Sequence, residues 1–244
     1  MSVPSLAPAD QGTKVQEILQ IGEDGDTILV VGPDKAKIQV LSSFLKHISP
    51  VFRAMLDSSM SEGEAFRNRV DNFPIEIILP EDKPRAMFQM LRGLYGVDAS
   101  CRPTTSDVRM IAILADKYDM IKQLKYFAAY WIQVPTNSSD PYFVQCAWDI
   151  LIASYMLKES TPFFLTSKAI TNTKGSLFKY AMSTHDKELG LKLGMAIEEV
   201  RGIANSRNVP MGVCMDCFTH ATESFTQKLS KCQAFDKHFY QVPR

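Results

Sequence analysis

The chain has 244 residues, 45% hydrophobic and 10% aromatic, enough for one large domain or two ordinary ones and too apolar for wholesale disorder. Lys plus Arg and Asp plus Glu number 27 each, so no net positive field exists to hold a phosphate backbone, which argues against nucleic-acid binding. No run of about 18 apolar residues offers a membrane span, and the N-terminal residues lack the apolar segment of a secretory signal, so the chain reads as soluble, in cytoplasm or nucleus, with reduced cysteines.

Residues 1–14 are rich in Pro, Ala, Ser and Gly and read as disordered. Residues 14–21 carry Val15, Ile18, Leu19 and Ile21, which suits either a short helix or an extra strand. Residues 27–31 are β-branched and apolar, Gly32-Pro33-Asp34 signals a turn, and Lys37 and Gln39 then alternate with Ile38 and Val40. That pattern predicts an antiparallel hairpin. Two short helices follow. Ser42 or Ser43 can cap the first. Ser49-Pro50 opens the second, with a hydroxyl for the free backbone N–H groups and a proline where its missing donor costs nothing. Val51, Phe52, Met55 and Leu56 line one face of that helix.

Residues 57–73 are polar, with alternating charge, and read as a loop. Ile75, Ile77 and Leu79 mark a strand on a period of two, and Asp82 with Pro84 opens a helix whose buried face is Met87, Phe88, Leu91, Leu94 and Tyr95. A linker containing Cys101 spans 96–103. Beyond it the chain reads as wholly helical. Thr104 or Thr105 caps a helix with Val108, Ile111, Ala115 and Tyr118 on one stripe, and Ile121, Leu124, Ala128 and Trp131 continue the spacing in the next. After a break at 135–141, further helices are expected at 142–158, 162–170, 187–206 and 215–235. The fold class expected is α+β: a small, mainly antiparallel sheet capped by helices over 15–134, then an all-α region over 141–244.

The order of these pieces resembles the BTB/POZ domain family. The residues that carry the likeness are Asp26 before the first strand of the hairpin, the run Ser49-Pro50-Val51-Phe52-Arg53-Ala54-Met55-Leu56, the strand end Glu76-Ile77-Ile78-Leu79-Pro80-Glu81-Asp82, and Leu94-Tyr95-Gly96. Leu114-Ala115-Asp116-Lys117-Tyr118 and Trp131 continue it, in the manner of fungal single-BTB proteins with a helical tail. The resemblance implies a protein-interaction module that homodimerises and, in many members, presents substrates to a cullin ubiquitin ligase. It places a cullin contact at Met60 and Glu62, a hydrophobic-x-Glu motif, and also at Tyr118; the residues themselves equally suit a solvated loop and a tyrosine packed on its own helix pair with its hydroxyl in water. Many members pair the Asp equivalent to Asp26 with a basic residue on the first helix. Leu41-Ser42 stands there in this chain, so Asp26 needs water or backbone N–H groups instead, or caps a strand end or turn. A homodimer through the apolar segment with Val15, Ile18 and Leu19 is the remaining expectation. The alternatives are a ligase-independent scaffold or transcription-regulatory oligomerisation protein, or a zinc-binding regulator using the C-terminal Cys/His cluster.

Cys214-Met-Asp-Cys217 has half of a zinc-site spacing, and His220 and Cys232 could complete a tetrahedral set; small reduced cysteines pack equally well as apolar groups. No phosphate-binding glycine loop, GxSxG elbow or HExxH pair is present. None of His47, His185, His220 and His238 has an acid and a nucleophile at a useful spacing. The expectation is a binding protein that is not an enzyme, with protein partners, no cofactor, no nucleic acid and no membrane.

Overall fold

The computed structural model describes residues 18–22, 24–59, 61–68, 73–96 and 102–226. A four-stranded sheet opens the chain: β1 (Ile18–Gln20), β2 (Thr27–Val31), β3 (Ala36–Val40) and, later, β4 (Ile75–Leu79). Spatial order is β1-β3-β2-β4. The predicted hairpin is there, with Leu29 opposite Ile38. Its turn needs left-handed backbone at Gly32 (φ 73°) and Lys35 (φ 53°). A Cβ on Gly32 would also lie 3.0 Å from the Asp82 carbonyl, so both the backbone angle and the tight contact favour glycine there.

The sheet is mixed rather than mainly antiparallel, because β1 pairs with β3, and β4 with β2, in parallel. Alternation identifies a half-buried strand but carries no information on the direction of its partner. The segment at 14–21 that suited helix or strand is a strand from Ile18. On the inner face, Leu19, Ile38, Leu29 and Ile77 stand in one cross-strand row, and all but the half-buried Leu19 are shut off from solvent.

Helices α1 (Ser42–Ile48) and α2 (Pro50–Asp57) cover that face. The first is not capped by a serine side chain: Leu41 sits at the cap, and the Ser42 hydroxyl is used elsewhere. The second starts as expected, with Ser49 Oγ accepting the Phe52 N–H at 3.0 Å. The expected loop over 57–73 contains a helix, α3 (Ser61–Arg67). Its charged sequence hid the pattern, since Phe66 alone packs on the core. Gly63 permits the close return, because a Cβ there would lie 2.0 Å from the Ser58 carbonyl oxygen.

Next come α4 (Pro84–Tyr95), α5 (Thr105–Lys117) and α6 (Lys125–Trp131). Gly96, at φ 80°, ends α4 by turning its N–H onto the Arg92 and Gly93 carbonyls. Thr104 and Asp107 form a reciprocal capping box at the start of α5.

The helical tail packs directly on this unit. Helix α7 (Phe143–Met156) gives Ile150, Ala153 and the following Leu157 to the core under the sheet. It gives Ala147, Trp148, Leu151 and Ile152 to a second core, formed with α8 (Ser160–Thr171), α9 (Phe178–Ser183), α10 (Lys187–Arg207) and α11 (Met215–Thr219). Asp149, which interrupts the apolar run, is buried and lies 3.2 Å from Arg109 Nε on α5, close enough for charge attraction but poorly aligned for a hydrogen bond. It also accepts Gln145 Nε2 at 3.1 Å. Burial pushes its carboxyl above the usual range, with Arg109 and Gln145 pulling the other way.

Two helix expectations change. The six-residue α9 had no cap signal and too few turns to show a period. The helix expected over 215–235 stops at Thr219; residues 221–226 are non-helical, and those from 227 on lie outside the described residues. Among the described residues, no helix is long and apolar enough to cross a membrane.

Candidate protein-docking surface

A buried polar knot fixes the surface loops around the sheet. Asp82, in the loop between β4 and α4, receives Lys117 Nζ at 2.6 Å and a short hydrogen bond from the Tyr118 hydroxyl. Tyr118 is 1% exposed and stacks on Phe52, ring centroids 4.4 Å apart. Ser49 closes the knot: its hydroxyl donates to the Tyr118 carbonyl at 2.6 Å while capping α2. One serine thus ties the start of α2 to the end of α5, and one aspartate ties that end to the β4–α4 loop. Burial, then the hydrogen bond to Asp82 and its negative charge, raise the Tyr118 phenol far above its ordinary value.

This placement corrects the expectation for Tyr118. A ring so enclosed has no surface to offer a partner, and its hydroxyl reaches Asp82 instead of water. In the sequence Asp82 marks a helix start and ends the strand motif that carries the family likeness. The signal for its larger role was an acid directly before a Lys-Pro start, with Lys117-Tyr118 at the end of a later helix.

Glu62 stands in the first turn of α3 with Glu64, where the helix dipole favours negative charge. Ser61 Oγ donates to it at 3.0 Å. The helix is held from both sides: Arg67 Nη1 donates to the Ser58 carbonyl at 2.7 Å, and Phe66 packs on the core beneath Lys46, whose Nζ lies 4.7 Å from the ring centre. Met60, the other member of the motif, lies outside the described residues.

The outer face of the sheet is a second surface. Ile18, Lys37, Val30 and Ile78 form one cross-strand row, and Gln20, Gln39, Ile28 and Glu76 the next. Lys37 and Glu76 meet diagonally at 2.6 Å across Ile28 and Val30, whose side chains are covered. Ile18 and Ile78, at the two edges, are 41% and 69% exposed. The segment proposed for dimerisation is therefore split: Ile18 faces out and Leu19 packs inward. Val15 lies outside the described residues. Asp26 turns both carboxylate oxygens onto Ser42, taking its N–H at 2.6 Å and its hydroxyl at 2.7 Å. That is the backbone satisfaction its sequence context required.

The half-zinc motif opens α11, with Cys214 at the cap position and Cys217 inside the helix. Cys214 is half-buried, Cys217 is buried, and His220 is exposed, with Nδ1 3.2 Å from Asp216 Oδ1. Among the described residues no three His, Cys, Asp or Glu side chains converge to hold a metal ion. Cys232 lies outside them.

A mixed sheet capped by helices on one face, with Ile18 and Ile78 exposed at its two edges, is a scaffold for surface contacts. The BTB/POZ domain family model matches residues 15–131, and this part of the chain is a BTB/POZ domain. The domain is a non-catalytic module for protein–protein interaction and oligomerisation. No curated protein matches the chain.

The knot is testable. Tyr118→Phe keeps the stacked ring but removes the donor to Asp82, and should cost about 1.5–3 kcal/mol in urea denaturation, the usual worth of a hydrogen bond to a charged group. An unchanged midpoint would show that Asp82 is satisfied without it.

Proposed function

We propose that this protein is a docking adaptor that recruits a cullin-type ubiquitin-ligase subunit over α3, working in cytoplasm or nucleus. The observation that carries this reading is the placement of Glu62. The glutamate of the hydrophobic-x-Glu motif sits in the first turn of a helix anchored by Phe66, Arg67 and Gly63, so the acid is offered at a fixed position instead of on a wandering loop. Preorganisation of that kind lowers the ordering cost of binding. Tyr118, stacked on Phe52, belongs to the same core on which Phe66 of α3 packs. The helical region fused through α7 extends the platform and would carry the substrate-facing or scaffold-facing surface. Without a cullin, the same architecture serves as a ligase-independent scaffold.

Co-purification of a cullin with the full chain, compared between the natural sequence and Glu62→Lys combined with Met60→Asp, tests the assignment. A loss of about tenfold in affinity, roughly 1.4 kcal/mol, is expected. Equal recovery from both proteins would remove α3 as the contact.

Self-association is a second reading, favoured by the row Ile18, Lys37, Val30 and Ile78 across the outer sheet face. Ile18 and Ile78, exposed at the two edges of the sheet, are a ready surface for a second copy. Light scattering should give a dimer mass for the natural sequence and a monomer mass for Ile18→Lys with Ile78→Lys. A mass shared by both proteins would place any self-association elsewhere.

A further inference from the structure

Helix α6 presents two tyrosines to solvent. Tyr126 is 87% exposed and Tyr130 43%, and they stand one turn apart. Ala129, also exposed, adds no bulk to cover them. The opposite side of the helix is anchored. Ala128 and Trp131 are buried, and the rings of Phe127 and Trp131 lie 5.2 Å apart between centroids. Gly93 on α4 makes room for that indole, since a Cβ there would come within 2.8 Å of it. The two tyrosines are therefore carried on a fixed backbone.

Cations stand at both ends of the pair. Arg102 Nε donates to the Tyr130 hydroxyl at 3.1 Å, with the guanidinium carbon 5.4 Å from the centre of that ring. At the other end Lys125 opens α6 and Lys122 sits in the turn before it, both exposed. Residues 125–131 contain no acid. Asp116 and Asp119 are the acids next before Lys122 in the chain, and among the described residues neither pairs with any of these cations. The surface thus joins amphipathic rings to uncompensated positive charge, and Tyr and Arg are the residue types that dominate interface hot spots.

That charge calls for an anionic partner. From Lys122 to Tyr130 the row is about 12 Å long, which an extended chain crosses in about four residues. Aromatic rings between cations also suit a single-stranded nucleic acid. Arg102, Lys122 and Lys125 together would neutralise only about three phosphates, however, few for a complex driven by the nucleic-acid backbone. A peptide needs just one or two carboxylates at each end, with its apolar side chains on the rings.

We propose that α6 docks an acidic linear segment of a partner protein. Apolar or proline side chains of that segment lie on Tyr126 and Tyr130, one group of carboxylates meets Lys122 and Lys125, and a second meets Arg102. The inference rests on neither the cullin nor the dimer reading, which use α3 and the outer face of the sheet.

Fluorescence anisotropy of a labelled peptide titrated with the full chain tests it. The probe is Glu-Glu-Pro-Leu-Pro-Glu-Glu carrying fluorescein at its N-terminus. It should bind saturably, and more weakly as salt rises from about 50 to about 300 mM. Tyr126→Ala with Tyr130→Ala, and separately Lys122→Glu with Lys125→Glu, should each weaken binding about tenfold or more. Their helical circular dichroism should not change, because all four side chains are exposed. The same peptide with lysine in place of glutamate should not bind. The Glu62→Lys protein should bind the probe as the natural sequence does, which separates this surface from α3. No saturation by about 1 mM protein would overturn the proposal. So would equal affinity in the tyrosine variant, or tighter binding of a labelled uridine decamer than of the peptide.

Discussion

Helix α7 is the constraint on which the rest of the molecule depends. Every residue from 147 to 154 is buried, so the helix has no solvent face in its middle. Its two apolar sides belong to different cores, one beneath the BTB/POZ sheet and one among the C-terminal helices. A helix apolar all round must be enclosed on all sides, and neither unit alone can enclose it. Pulling the tail from the sheet would bare Ile150, Ala153 and Leu157 along with the buried Asp149. The lost apolar burial acts against separation, offset in part by the rehydration of Asp149. The helical region is therefore joined to the docking domain as one body.

That rigidity gives the surfaces their value. Glu62 on α3, the outer row of the sheet and the tyrosine pair on α6 all stand on elements held by packing or by the Asp82–Tyr118–Ser49 knot. A partner meeting such surfaces spends little of its binding energy on ordering them. The reactive-looking groups serve structure instead: Asp82 joins a loop to a helix end, and Asp149 sits at the seam. Each is engaged by named donors within the fold.

Much of this was legible in the residues. The hairpin, the Ser49-Pro50 start, the Thr104 cap and the helices expected at 142–158, 162–170 and 187–206 all carry local signals, and the structure reproduces them. Strand direction did not show, because period-two alternation is the same in parallel and antiparallel pairs. Helix α3 was hidden because charges dominate its seven residues and one phenylalanine anchors it. Tyr118 was legible as a buried-stripe residue, but its link to Asp82 spans 36 positions and only the fold brings the two together. The sharing of α7 was the deepest omission: an unbroken apolar run announces burial without saying how many cores share it.

The union of the two cores can be measured directly, since each contains one tryptophan: Trp131 packs under the sheet and Trp148 among the C-terminal helices. In Trp131→Phe and Trp148→Phe proteins, the remaining indole reports one core by fluorescence while far-ultraviolet circular dichroism reports both. If α7 joins them, the two signals coincide across urea denaturation in each variant, as a single cooperative transition requires. A fluorescence transition displaced from the dichroism transition would contradict the account, showing that the docking domain and the helical region unfold as separate bodies.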